Sequence, residues 1–491
     1  MRWLGRVVLG IVAILVVLVA VVVGRTLAWK GPAGPDIAAA GLAPAIPVDV
    51  ARAARNLSQA VRIATVSHQD PAEDQPAEWD RLHAFLQAAY PAAHAAMTRE
   101  TVGGHGLVYT WTGADPALDP VVLMAHQDVV PVTPGTQKDW RYPPFGGEIA
   151  EGSVWGRGTI DDKGSLIALF EAVETLAQGG FRPRRTVILV SGHDEEVRGR
   201  GARAAAALLK SRGVRAQFVL DEGLVVISDH PVTQGRVALI GTAEKGYGTL
   251  RVTAPAVGGH SSTPPEDSGG AVVLARAVVA IVEAGFPLAF RGPGADMVEA
   301  VAPHAAFPVR MAVANRWLFE PLLVGQVGAS APGAALLHTT IAPTMLQGSP
   351  KENVLPQDAS ARINYRFAPG DSSDEVLARA RAAVGDLRVR LAWDRPPDEA
   401  TPVSSTTSDG WKLVAAVAAE VSGAPVAPGL VTGATDSRYL QEVATDVYRF
   451  QPMEFALADI GMIHGTNEHL TLKNLERAVQ FYGRLIATAA R

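Results

Sequence analysis

The stretch PVVLMAHQDVVP, residues 120–131, sets an unbroken apolar run directly before His126 and Asp128. Such a run, without polar alternation, is the pattern of a strand buried on both faces, which is the habit of parallel sheets. The same order recurs in RTVILVSGHDEEV, residues 185–197, which ends in Glu195 and Glu196, and in AQFVLDEG, residues 216–223, which ends in Asp221. Helical spacing fills the intervals, in GSLIALFEAVETLAQGG and ARAAAALLKSRG. Strand and helix alternating in this way predict an α/β domain with a mostly parallel sheet covered by helices. Ligands of such sheets collect outside the carboxyl ends of the strands, which is where these polar residues fall.

Two further segments supply the same residue types. GRGTIDDKGS, residues 156–165, carries Asp161 and Asp162, and GMIHGTNEHL, residues 461–470, carries His464. Imidazole and carboxylate donors without any cysteine suit an open centre for zinc, cobalt or manganese better than a closed structural zinc knot. Taken singly, His126 or His464 would be an ordinary core or surface histidine; the surrounding motifs argue for ligands. Asp162 reads as a cap of the following helix, Asp194 as a loop cap, and His193 and His469 as structural residues.

Composition bounds the rest. A chain of 491 residues with 48% hydrophobic and 19% charged content is globular and exceeds one ordinary core. Its 44 basic and 49 acidic residues are mixed along the sequence, so nucleic-acid binding has no electrostatic footprint. The absence of cysteine excludes disulfides and thiolate chemistry and leaves the redox compartment open.

The run VVLGIVAILVVLVAVVVG, residues 7–24, is uncharged and flanked by Arg2, Arg6, Arg25 and Lys30. With Trp3 and Leu4 it approaches bilayer-spanning length, and no convincing small-residue cleavage site follows it. It reads as a single-pass anchor over 4–24, with the body outside the cytoplasm; the alternative is a signal peptide and a secreted product. Residues 25–47, rich in Ala, Gly and Pro, read as a tether. The catalytic unit is expected over 48–248, an inserted α+β lid or dimerisation unit over 249–372 or slightly beyond, and the return of the catalytic unit over 373–491.

Together HQDVVP, GRGTIDDKG, GHDEE, LDEG, GGHSSTP, ENVLP with a following Arg, and IHGTNE resemble the M20 family of metallopeptidases. The combination of GHDEE, GRGTIDDKG and AEKGY is similar to its carboxypeptidase S branch, which includes glycine-Xaa carboxypeptidases and secreted N-acyl-amino-acid hydrolases. The resemblance runs from about Ala64 to the C-terminus. It implies a zinc-exopeptidase fold and two divalent ions, zinc before cobalt or manganese, bridged by Asp161. His126 and Asp221 would complete one site, and Glu196 and His464 the other. Asp128 would orient His126, and Glu195 would be the general base that passes a proton to the leaving amine. His260 would stabilise the oxyanion, reaching the site of a partner subunit in a homodimer. Asn353, Arg366, Gly433 and Thr435 would hold the substrate backbone and its terminal carboxylate.

The resemblance thus implies a hydrolase acting on the amide bond beside a C-terminal amino acid. Small peptides are the first substrate class and N-acyl amino acids the second; a membrane-tethered binding protein without catalysis is the reading from another class. VRGRGA after GHDEE departs from the glycine-richer family loop, so Arg198 and Arg200 are expected to alter access to the site.

Overall fold

The computed structural model describes residues 2–197, 199–266 and 269–491, so Arg198 lies outside the described residues. An eight-stranded sheet carries the larger unit. Its strands run in the order Thr98–Val102, Gly106–Trp111, Val187–Ser191, Val121–Met124, Ala216–His230, Ala444–Phe455, Gly235–Glu244 and Val426–Val431. The strands Val187–Ser191, Val121–Met124, Ala216–His230 and Ala444–Phe455 pair in parallel, each with the next. An antiparallel hairpin, Thr98–Val102 with Gly106–Trp111, closes one side. Every residue of Val121–Met124 and of Val187–Ser191 is buried, as two-sided cover by helices requires.

Period-two alternation assigns those strands to two cores. Leu107, Tyr109, Leu123 and Leu189 join the core beneath the helices Lys163–Gln178 and Leu472–Ala489. Val108, Val122, Met124, Ile188 and Val190 face the helix Arg200–Ser211, through Ala202, Ala205 and Leu209. Opposite faces of one strand therefore serve opposite layers, and a one-residue slip in register would exchange them.

A smaller antiparallel sheet, in the order Thr340–Gln347, Asp358–Arg366, Gly248–Pro255, Arg390–Trp393, has its own core with the helices Gly269–Ala284 and Ser373–Val384. Val376, Ala380 and Val384 are buried in that core and Trp393 packs on it, so the smaller unit extends beyond 372 by a helix and a strand. The intervening helices Gly292–Val301, Phe307–Ala314, Arg316–Val327 and Ala331–Leu337 instead bury Met297, Val301, Val313, Leu323 and Leu337 in the larger core. The insertion is thus shared between two cores, which a periodicity reading could not divide.

The N-terminal helix Arg2–Ala28 contains an apolar span, Trp3–Ala28, long enough to cross a membrane, and most of that span is exposed. The segment expected as a free tether is strapped to the C-terminal helix. Gln480 donates to the Ile46 carbonyl and Arg484 to that of Ala43, while the Ala43 N–H reaches Thr488. These side chains pair the backbone groups that a chain without secondary structure leaves open.

Candidate metal centre

Each cluster residue arrives on a segment whose backbone is held by its neighbours. His126 follows the strand Val121–Met124, and its N–H donates to Asp162 Oδ2 at 3.2 Å. Asp162 occupies the N-cap position of Lys163–Gln178 without capping it; its other oxygen accepts from Gln451 Nε2. Asp194 does serve as a loop cap, accepting the Gly201 N–H and pairing with Arg200 Nε. Arg200 is therefore engaged beside its own helix start. His469 stacks on Trp155 with ring centroids 4.0 Å apart, and the His193 carbonyl accepts the Trp79 indole N–H, so both act within the scaffold.

Asp161 lies between the two histidines. Its Oδ1 is 2.8 Å from His126 Nε2, and its Oδ2 is 3.1 Å from His464 Nε2. His464 Nε2 also lies 3.0 Å from Glu196 Oε1. On the other side of the His126 ring, Nδ1 faces the Asp128 carbonyl at 3.0 Å and its Oδ1 at 3.3 Å. An N–H at Nδ1 leaves the Nε2 lone pair directed at the cluster. Asp128 also accepts the backbone N–H groups of Glu195 and Glu196, both at 3.1 Å, and the Ser67 hydroxyl at 2.6 Å. One buried carboxylate thereby orients the histidine and the turn carrying both glutamates.

The geometry departs from the sequence expectation at Asp221. Its two oxygens accept the backbone N–H groups of Glu222 and Ser437, at 2.9 and 2.8 Å. Glu222, next in the chain, instead shares a group with His126 and Asp161 in which one ligand atom from each lies within 4.8 Å of the others. Asp161, Glu196 and His464 form a second such group, and His126, Glu195 and Glu196 a third. Sequence reasoning passed over Glu222 because a strand buried on both faces gives no parity signal to choose between adjacent acids.

The charge balance fits cations. Burial pushes the carboxyl groups of Glu195, Asp221, Glu222 and Asp436 upward, and that of Glu196 to about 7. Neighbouring carboxylates add to the shift at Glu195, Glu196, Glu222 and Asp436. Burial acts the same way on Asp161, but its contacts with the His126 and His464 imidazoles outweigh it and hold that carboxyl below the usual range. A nest of half-buried carboxylates facing two imidazoles is the donor set of hard or borderline divalent ions.

The expected substrate residues divide. His260 and Asn353 are exposed neighbours on the smaller unit: the two-residue strand Gly259–His260 pairs with Val354–Leu355, and the Ser261 N–H donates to the Asn353 carbonyl. Neither hydrogen-bonds a cluster residue among the described residues. The Arg366 guanidinium lies over the Tyr247 ring at 4.7 Å, and burial lowers its pKa. An added Cβ at Gly433 would meet open space. Thr435, by contrast, is buried, and both its N–H and hydroxyl donate to Glu244 Oε1, which is ion-paired with the buried Arg449. Its side chain is committed inward rather than to a ligand.

Residues 122–488 match the profile of Peptidase family M20/M25/M40. The chain is 37% identical over 438 residues to the N-fatty-acyl-amino acid synthase/hydrolase PM20D1 of Xenopus tropicalis, covering 88% of this chain and 84% of that protein. It is 30% identical to carboxypeptidase S of Saccharomyces cerevisiae, covering 87% and 82%. Among solved structures, an M20 family metallo-carboxypeptidase from Sulfolobus solfataricus superposes with a TM-score of 0.65 at 16% identity, covering 90% of this chain and 100% of that one. With the match spanning most of the chain and a histidine–carboxylate centre at the ends of its parallel strands, this protein belongs to Peptidase family M20/M25/M40.

Proposed function

We propose that the protein hydrolyses the amide bond joining an acyl or peptidyl group to an amino acid with a free carboxylate. One observation carries this reading: the two oxygens of Asp161 address two different histidines, His126 and His464, beside the half-buried Glu195. His126, Asp161 and Glu222 would hold one divalent ion, and Asp161, Glu196 and His464 the other, zinc before cobalt or manganese. Ions bound there supply Lewis acidity, which activates water and polarises the scissile carbonyl.

The chain's own residues do the remainder. Glu195, whose carboxyl burial keeps easily protonated, takes a proton from the attacking water and delivers it to the leaving amine. Asp128 fixes the turn bearing Glu195 and the tautomer of His126. Arg366, stacked on Tyr247, receives the substrate carboxylate, and Asn353 and the backbone at Gly433 supply further substrate contacts. His260 acts as an oxyanion donor to the centre of a second subunit, which requires a homodimer. The apolar helix Arg2–Ala28 anchors the protein in a membrane with the hydrolase outside the cytoplasm.

Small peptides are the first substrate class. The 37% identity to a protein named for N-fatty-acyl amino acids favours a second reading, in which the acyl side is a long apolar chain. A panel of dipeptides, blocked dipeptides and fatty-acyl amino acids, assayed with and without added zinc, separates the two. Hydrolysis of neither class at any metal supplementation contradicts the proposed activity.

A further inference from the structure

The end of the N-terminal apolar helix is hydrogen-bonded to the inserted helices. Asn315, fully buried between the helices Phe307–Ala314 and Arg316–Val327, donates through Nδ2 to the Val22 carbonyl at 3.2 Å and to Thr26 Oγ1 at 3.0 Å. Thr26 returns its own hydroxyl to Val22 O at 2.7 Å, and both Val22 and Thr26 are buried, in a helix that is otherwise almost wholly exposed. The contact therefore fixes the depth of the insertion relative to the apolar span.

Beside this contact, the helix Arg316–Val327 leaves large apolar side chains in the open. Leu318 and Leu322, three and seven residues beyond Asn315, return to the side of the helix that carries Asn315. They are 39% and 54% exposed, with Trp317 at 59% next to Leu318 in the chain and Phe307 of the preceding helix at 44%. The adjoining stripe, Phe319 and Leu323, packs into the larger core, so the exposed stripe is the one left over. Glu320, the acid on this helix, is paired with Arg316 at 3.2 Å.

We infer that this face of the inserted helices lies in the lipid bilayer surface alongside the anchor, as a second membrane contact. The inference rests on the anchor reading given above. Residues 7–24 rise roughly 27 Å as a helix, close to the ~30 Å hydrocarbon thickness, which puts Val22 and Thr26 at its outer edge. Asn315 is bonded at that level, so Leu318 and Leu322 meet the hydrocarbon boundary and Trp317 the headgroup zone, where indole rings collect. Lipid is the occupant favoured over a protein partner because Asn315, on the same side of the helix as Leu318 and Leu322, is bonded directly to the apolar span. Asn315 also supplies a donor where the scarcity of water leaves few others. An enzyme held in this way at two points presents a fixed orientation to substrates dissolved in the same bilayer.

The chain lacks cysteine, so single labels can be placed cleanly. The full-length protein, one dimer per lipid nanodisc, is labelled with an environment-sensitive fluorophore at Leu322→Cys, at Val12→Cys in the anchor, or at Lys210→Cys, an exposed position of the helix Arg200–Ser211. Each variant is first checked for retained hydrolysis, then for quenching by lipids bearing a nitroxide near the headgroup. The expected result is several-fold stronger quenching at positions 12 and 322 than at 210. Quenching at 12 but not at 322 overturns the second contact and leaves the anchor standing. No quenching at 12 overturns the anchor, and the second contact with it.

Discussion

Arg157 and Glu468 form a buried ion pair, Nη1 to Oε2 at 2.7 Å, that fastens the loop of Asp161 to the loop of His464. Glu468 also accepts the backbone N–H groups of Gly158, Ile160 and Asp161, while Arg157 Nη2 donates to the carbonyls of His464 and Gly465. Removing one partner strands the other charge in the interior, at a cost of about 3–5 kcal/mol. Glu468→Gln is expected to lower the melting temperature and to weaken metal retention on dialysis, since both loops carry proposed ligands. Unchanged metal content in a destabilised variant would confine the pair to a scaffolding role.

The adjacent acids Asp221 and Glu222 are expected to behave differently. Glu222→Gln removes a carboxylate facing His126 and Asp161, so metal bound after dialysis drops from about two equivalents toward about one. Asp221→Asn keeps an acceptor for one of the two backbone N–H groups, of Glu222 and Ser437, and removes none of the proposed ligands, so it retains both equivalents at lower stability. Metal analysis of the two variants side by side checks the assignment; loss confined to Asp221→Asn would reverse it.

His83 provides an acid-sensitive element. Burial lowers its pKa to about 4, although Gln127 Oε1 lies 2.7 Å from its Nε2. A histidine with a depressed folded-state pKa binds fewer protons folded than unfolded, so stability falls as pH drops from about 6.5 to about 4 and the loss is complete below that. The span corresponds to about 3 kcal/mol. His83→Gln is expected to flatten this part of the melting temperature against pH, an outcome read by thermal scans at fixed ionic strength.

Gly192 is required by a neighbour rather than by its backbone angles. A Cβ there would lie 1.9 Å from Asp436 Oδ2, a buried oxygen without a hydrogen-bond partner among the described residues. Gly192→Ala must displace the Asp436 loop or the segment leading to Glu195, at about 1–3 kcal/mol. The expected result is a lower melting temperature together with a reduced kcat; a variant identical to the parent in both would contradict this packing.

Much of this centre is legible in the sequence because chemistry and fold coincide there. The runs VVLM and VILVS announce two-sided strands, and the polar residues after them fall at strand ends for that reason alone. Asp194 as a loop cap follows from its position ahead of a helix, whereas Asp162, read as a cap of Lys163–Gln178, instead accepts from the His126 N–H and Gln451 Nε2. What stays hidden depends on contacts distant in sequence. The choice of Glu222 over Asp221 is made by Ser437, the inward turn of Thr435 by Glu244 and Arg449, and the strapping of residues 43–46 by the C-terminal helix. No local pattern encodes those pairings.

Glu195→Gln tests the central claim most directly. The substitution preserves size and leaves the Asp128 contact to the backbone intact, so two equivalents of metal should remain while turnover falls by at least about 100-fold, the usual scale for loss of a general base. Metal content by elemental analysis and kcat on the best substrate of the panel are read from the same preparation. Full turnover in a metal-replete Glu195→Gln protein would contradict the account.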